Sequence, residues 1–212
     1  MSARRDEIVA IAKKLFAEQG YVSTSMRDIA DATGLLPGSL YTHFKSKARL
    51  VEEIVAVFYR DLLAAQQVAV SAPGTGAERL RLLLRATYEV CEAYPDELTI
   101  LHYDWKELST LDEIAEVREI SVRTLVTWRK VIKDGISDGT LRPSMSPELF
   151  SRIATGAIHA MLDPVRYRDQ PASKKADPVR QLEEVLLEGL LAAPRVGTGT
   201  AAPAKSGRAG RA

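Results

Sequence analysis

Only one cysteine, Cys91, stands in 212 residues, so no internal disulfide framework can hold this chain together. A lone thiol suits a reducing compartment, and a cytoplasmic location is expected. It reads as a small buried hydrophobe more readily than as a sensor thiol. Three histidines lack close acidic or thiol companions, which argues against a dedicated zinc site, and no cofactor is expected. No uninterrupted run of about 18 apolar residues occurs, so no membrane span is expected. The start, Met1-Ser2-Ala3-Arg4-Arg5-Asp6-Glu7, has no apolar stretch of the secretory kind. Enzyme signatures are missing too: no paired carboxylates at useful spacing, no Ser/His/Asp or Cys/His set, no glycine-rich phosphate loop. An enzyme is not expected.

Alternating β-formers are also lacking, and what remains is helical periodicity punctuated by Pro and Gly. Helices are predicted over about 6–18, 25–33, 37–44, 46–70, 77–93, 96–108, 112–137, 147–162 and 177–192, an all-α chain of about nine helices. The first puts Ile8, Ile11, Ala12, Leu15 and Phe16 on one stripe and stops at Gly20. Thr24 or Ser25 caps the second, Gly34 ends it, and Pro37 sits in the first turn of the short third. Ser46 is placed to cap the fourth. The long seventh carries Ile114, Val117, Ser121, Leu125, Trp128 and Ile132 along one face. The ninth carries Val179, Leu182, Leu186, Leu187, Leu190 and Leu191, a wide apolar stripe that closes the chain's own core or meets a second copy of it. From Pro194 the chain has no large apolar residue, and residues 194–212 are expected to be a disordered basic tail.

The net charge of +1 hides an asymmetry. Residues 1–50 hold eight Lys/Arg against five Asp/Glu, residues 51–194 hold 17 against 23, and residues 195–212 hold four basic groups and no acid. A positive head on a negative body suits a polyanion at the head.

The informative stretch is GYVSTSMRDIADATGLLPGSLYTHFKSKARL, Gly20 to Leu50. It reads as two short helices about a tight turn at Gly34, backed by a third. The last of the three shows small or polar residues, Gly38, Ser39, Thr42 and His43, to the outside, and such a helix can enter the major groove. Thr24, Ser25, Arg27, Tyr41, Lys45 and Lys47 flank it with hydroxyls and bases of the kind that fix register on phosphates. In the body, Tyr88, His102, Trp105, Trp128 and His159 fall on inward faces. They are candidates for an apolar pocket with a few polar tips, or for ordinary core. Arg123 can pair with a ligand carboxylate or phosphate, or with a surface acid.

The order Thr-Ser-x-Arg-Asp-Ile-Ala-x-x-x-Gly, then Gly-Ser-Leu-Tyr-x-His-Phe-x-Ser-Lys, closely resembles the DNA-binding domain of the TetR family of repressors over about Ile8 to Leu50. The resemblance implies a three-helix helix-turn-helix domain over 1–48, and a ligand-binding and dimerisation domain over 49–193. It implies double-stranded operator DNA as partner, a small-molecule effector, and a homodimer formed through the last two helices. By position it makes Thr24, Tyr41 and Lys47 phosphate contacts, and Leu36, Pro37, Gly38, Ser39, Thr42 and His43 the recognition face. Leu36-Pro37 stands where that family usually has a small polar cap.

The stretches Leu101 to Leu108, Gly135 to Pro143 and Arg166-Tyr167-Arg168 are similar to one TetR branch, which includes regulators of steroid-ring and other acyl-CoA degradation. Where the steroid-ring regulators carry Arg and Trp in the eighth helix, this chain places Thr155 and His159. The expected function is therefore a ligand-responsive repressor whose effector is largely apolar, an acyl-CoA thioester among the options. The rival expectation is a ligand-independent DNA-binding or architectural protein.

Overall fold

The computed structural model describes residues 3–163 and 177–188. The expectations for the tail at 194–212, for Leu190 and Leu191, and for Arg166 to Arg168 lie outside the described residues. Among those described, the chain is nine α-helices and one short 3-10 turn, with no strand.

Three helices form the head. In α1 (Ala3–Gln19), Ile8, Ala12 and Phe16 are buried along one stripe. Gly20 stops the helix, and its positive φ of 85° suits glycine. A capping box opens α2 (Met26–Thr33): the Asp28 amide donates to Ser25 Oγ, while Ser25 N–H donates to the Asp28 carboxylate. Gly34, at φ 67°, ends it in the left-handed conformation. The short α3 (Pro37–His43) has no side-chain cap at Leu36 and starts on Pro37, whose missing N–H needs no partner there. Leu40 alone of its residues is buried, with Phe44 just beyond.

The connector is α4 (Lys47–Ser71), capped by Ser46. By length and composition alone it is apolar enough to cross a membrane. Here that apolarity belongs to a core helix, since α4 packs against α1, α5, α6 and α7 and buries Leu50, Ile54, Phe58 and Leu62.

The body is completed by α5 (Gly76–Ala93), α6 (Pro95–Leu108), α7 (Ala115–Ser137), α8 (Pro147–Leu162) and α9 (Pro178–Glu188). The predicted seventh helix begins instead as a 3-10 turn, Asp112–Ile114, before α7. At one crossing backbones nearly touch: a Cβ on Gly76 would stand 2.2 Å from Gly135 Cα, so α5 and α7 meet there only because both residues are glycine. Gly76 N–H donates to Asp138 Oδ2 at 2.6 Å and Ala77 N–H to Thr140 Oγ1 at 3.1 Å, which satisfies free amides of the helix start. On α9, Val179, Leu182 and Leu187 are buried and the helix packs against α5, so this part of the terminal stripe closes the chain's own core.

Candidate functional site: an exposed short helix and a body cavity

The head presents α3 outward. Leu36 is 79% exposed and Tyr41 49%; Pro37, Gly38 and Thr42 are exposed, and Ser39 and His43 half-buried. Thr42 donates its hydroxyl proton to Ser39 O at 2.7 Å and keeps its lone pairs outward. A clamp not anticipated from the sequence steadies this helix. The Arg5 guanidinium lies 4.0 Å from the Phe44 ring centroid, donates to His43 O at 2.5 Å and pairs with Glu53, tying α1, α3 and α4 together. Only side-chain reach across three helices reveals it; Arg5 alone carries no sequence signal.

Three expected phosphate ligands are placed otherwise. Thr24 is fully buried and its hydroxyl donates to Gly20 O at 2.9 Å, so it braces the loop between α1 and α2. The Ser25 hydroxyl is engaged in the α2 cap. Lys47 Nζ donates to Tyr21 O and Thr24 O, each at 2.7 Å, and sits 4.2 Å from the centroid of the Tyr21 ring. Burial holds its pKa below the usual lysine value. Lys47 therefore fastens the α1–α2 loop to the foot of α4. Arg27, with only a 4.0 Å contact to Asp31, and Lys45 remain exposed cations at the rim of α3.

In the body, α4 to α8 converge on a cavity of about 330 Å³. Its walls are Phe58, Tyr59, Leu62 and Gln66 from α4, Thr87 and Cys91 from α5, and Leu98, Leu101, His102 and Trp105 from α6. Ser121, Thr124, Leu125 and Trp128 come from α7, and Thr155, Ile158 and His159 from α8. Its size lies at the small end of the roughly 300–1,000 Å³ usual for small-molecule sites. The walls hold no Lys, Arg, Asp or Glu. Ser121 and Leu125 are half-buried in the apolar row of α7 because they face this space.

His102, Trp105, Trp128, Thr155 and His159, picked from sequence, all border the cavity. Tyr88 does not: it is buried elsewhere on α5 with its hydroxyl 3.5 Å from Glu92. Arg123 lies on the outer side of α7, exposed to solvent. Tyr59, Gln66 and Thr87 were missed; their helical periodicity marks them as inward but does not distinguish a cavity wall from core.

Two conditions shape the site's chemistry. His102 and His159 face each other with ring centroids 6.1 Å apart, and burial, then the His102 neighbour, push the His159 pKa below its ordinary value. The Cys91 thiol is pushed up to about 12 by burial alone, which keeps it protonated and poorly nucleophilic. A slot of about 10 Å³, room for roughly one water, shares Leu98, His102 and His159 with the cavity and is bordered by Tyr103 and Asp163. Among the described residues no His, Cys, Asp or Glu cluster is arranged to hold a metal ion.

Residues 8–54 match the family model for bacterial regulatory proteins of the tetR family, and residues 73–163 match a tetracyclin repressor-like C-terminal domain. The HTH-type transcriptional repressor KstR2 of Mycolicibacterium smegmatis is 34% identical over 71% of this chain and 74% of its own length. The KstR2 repressor of Rhodococcus jostii is 33% identical over 89% and 92%. The solved structure of the ketosteroid transcriptional regulator KstR2 of Mycobacterium tuberculosis superposes with a TM-score of 0.80 at 27% identity, covering 91% of this chain and 97% of that one. With a head that exposes α3, a cavity walled by α4 to α8, and relatives this similar over this much of its length, the chain belongs to the TetR family of bacterial transcriptional regulators.

Proposed function

We propose that this chain is a repressor that occupies a palindromic operator as a homodimer and leaves it when a small molecule enters the body cavity. Residues 1–48 act as the DNA-binding head and 49–193 as the ligand-binding and dimerisation body. The observation that carries the reading is that two helices walling the cavity also hold the head. Helix α4 begins at Lys47 under the α1–α2 loop and reaches the cavity with Phe58, Tyr59, Leu62 and Gln66. Helix α6 gives Leu98, Leu101, His102 and Trp105 to the cavity. Its other side grips the head through Lys13–Glu97 at 2.9 Å and through Tyr21 N–H to Asp104 at 2.9 Å. An occupant that moves either helix moves the head.

On DNA, Leu36, Pro37, Gly38, Ser39, Thr42 and His43 form the face toward the bases, with Tyr41, Arg27 and Lys45 on phosphates. Dimerisation uses α8 and α9, whose outer faces show Leu149, Ile153, Met161 and Val185 to solvent. It sets two recognition helices about 34–36 Å apart. For release, the effector must favour the off-operator state, and coupling of about 1–3 kcal/mol is usual.

The effector is small and largely apolar. An acyl-CoA thioester fits this reading with its acyl part enclosed and its phosphates outside, because no wall residue is cationic. Thr155 and His159 on the α8 wall set the ligand apart from that of the steroid-ring regulators, which carry Arg and Trp there. A ligand-independent architectural protein has no use for a 330 Å³ cavity. The test is a competition gel shift with duplex from the region upstream of the gene against random duplex of equal length. Preference for the former supports the reading; equal affinity sinks it in favour of the architectural role.

A further inference from the structure

Two buried polar atoms at the cavity have no partner among the described residues: the indole Nε1–H of Trp128 on α7 and the Oε1 carbonyl of Gln66 on α4. Trp128 is fully buried and Gln66 is 1% exposed, so water does not satisfy them from outside. Each unpaired buried group costs about 1–3 kcal/mol, which makes such orphans rare and usually the mark of an absent partner.

The neighbouring polar groups do not compete for these two. Gln66 uses its amide Nε2 on Thr87 Oγ1 at 3.2 Å, which fixes the orientation of its carbonyl end. Ser121, Thr124 and Thr155 donate their hydroxyl protons to carbonyls of their own helices, at 2.7, 2.7 and 2.9 Å. These three walls therefore offer lone pairs only. Trp128 Nε1–H and Gln66 Oε1 are thus the buried donor and acceptor left without partners in walls that carry no Lys, Arg, Asp or Glu.

Building on the effector-site reading above, we propose that the cavity selects an uncharged molecule that accepts a hydrogen bond from Trp128 Nε1 and donates one to Gln66 Oε1. A largely apolar alcohol or hydroxyketone meets both demands, and a ketone meets the first alone. A carboxylate is disfavoured, because the walls hold no Lys or Arg and burial, then the His102 neighbour, pushes the His159 pKa below its ordinary value. Trp128 and Gln66 are thus the specificity-determining pair, on two of the helices that wall the space.

The test uses calorimetric titration of the full chain with tetralin, 1-tetralone, 1-tetralol and tetralin-2-carboxylate. These share one ring system and differ in oxygen chemistry. The ketone is expected to bind about fivefold tighter than tetralin, the worth of one net hydrogen bond. Trp128→Phe should erase that advantage without weakening tetralin, and Gln66→Met should do the same for the alcohol's advantage over the ketone. Melting temperatures of both variants check that the fold is retained, and comparison within each variant cancels any general loosening of the cavity. The proposal is overturned if the carboxylate binds best. It is equally overturned if the ketone-to-tetralin ratio survives Trp128→Phe, or if no member binds at about 1 mM, where affinity is about −4 kcal/mol. Operator affinity is measured separately by fluorescence anisotropy. A probe that binds as expected yet leaves operator affinity unchanged overturns the switch and leaves the cavity assignment standing.

Discussion

Asp104 on α6 accepts the backbone N–H of Tyr21 at 2.9 Å, a buried hydrogen bond that joins the body to the loop between α1 and α2. Asp104 is the direct neighbour of Trp105, which borders the cavity. The same loop offers Tyr21 O and Thr24 O to Lys47, so one short segment is gripped from α6 and from the foot of α4. Asp104→Ala leaves the Tyr21 amide without its acceptor, at about 1–3 kcal/mol. The variant should unfold at lower urea, bind operator more weakly and respond less to any cavity ligand. Full ligand response in the variant would mean that α6 takes no part in the coupling.

The head was legible in the sequence because its signals are local. Ser25 with Asp28, Gly34 in the left-handed conformation and Pro37 at a helix start each act within a few residues, and each is found where expected. The cavity was half legible: periodicity turned His102, Trp105, Trp128 and His159 inward, the family resemblance pointed to Thr155, and all five meet the same space. Tyr88 and Arg123 sit on these helices too, beside lining residues but rotated away from the cavity, a rotation that pattern alone does not fix. Lys47 shows the other limit. Its spacing is that of a phosphate ligand, while its ammonium is taken by carbonyls more than 20 residues earlier in the chain.

That placement separates the cations of the head by a salt titration. Lys45 and Arg27 are exposed and free to release counterions from DNA, whereas Lys47 Nζ already has its partners. Lys45→Ala and Arg27→Ala should each flatten the slope of log affinity against log salt by about 0.9. Lys47→Ala should lower the melting temperature and operator affinity while leaving that slope almost unchanged. A slope loss equal to that of Lys45→Ala would return Lys47 to the phosphate contacts.

The crossing of α5 over α7 offers a purely steric test. A methyl group at Gly76 meets Gly135 Cα at 2.2 Å and Gly135 N at 2.3 Å, both backbone atoms that cannot turn aside. Separating the helices would also break the Gly76 and Ala77 amide bonds to Asp138 and Thr140. Gly76→Ala should therefore cost more than about 2 kcal/mol and lower the melting temperature by roughly 5 °C or more. Gly38→Ala is the control, since a Cβ there meets nothing within 4 Å. Equal melting temperatures for the two variants would contradict the contact.

The His102–His159 pair gives the cavity a pH signature with a definite sign. Burial and the facing His102 depress the His159 pKa in the folded chain below the ordinary value of 6.5, which the unfolded chain retains. Between those two values the unfolded state carries the proton and the folded state does not, so stability rises with pH there and falls on acidification. Asp163 and Tyr103 border the adjoining slot but leave the depression in place. Melting curves from about pH 7.5 to about pH 5.5 should show the native chain losing stability, and His159→Gln, which cannot take up the proton, losing less. Because a ligand in the cavity shields His159 further, its affinity should fall over the same range in the native chain and hold steadier in the variant. Parallel pH curves for the two proteins would show that His159 stays solvated enough to titrate as an ordinary surface histidine, and the cavity would then be wet where its walls suggest it is dry.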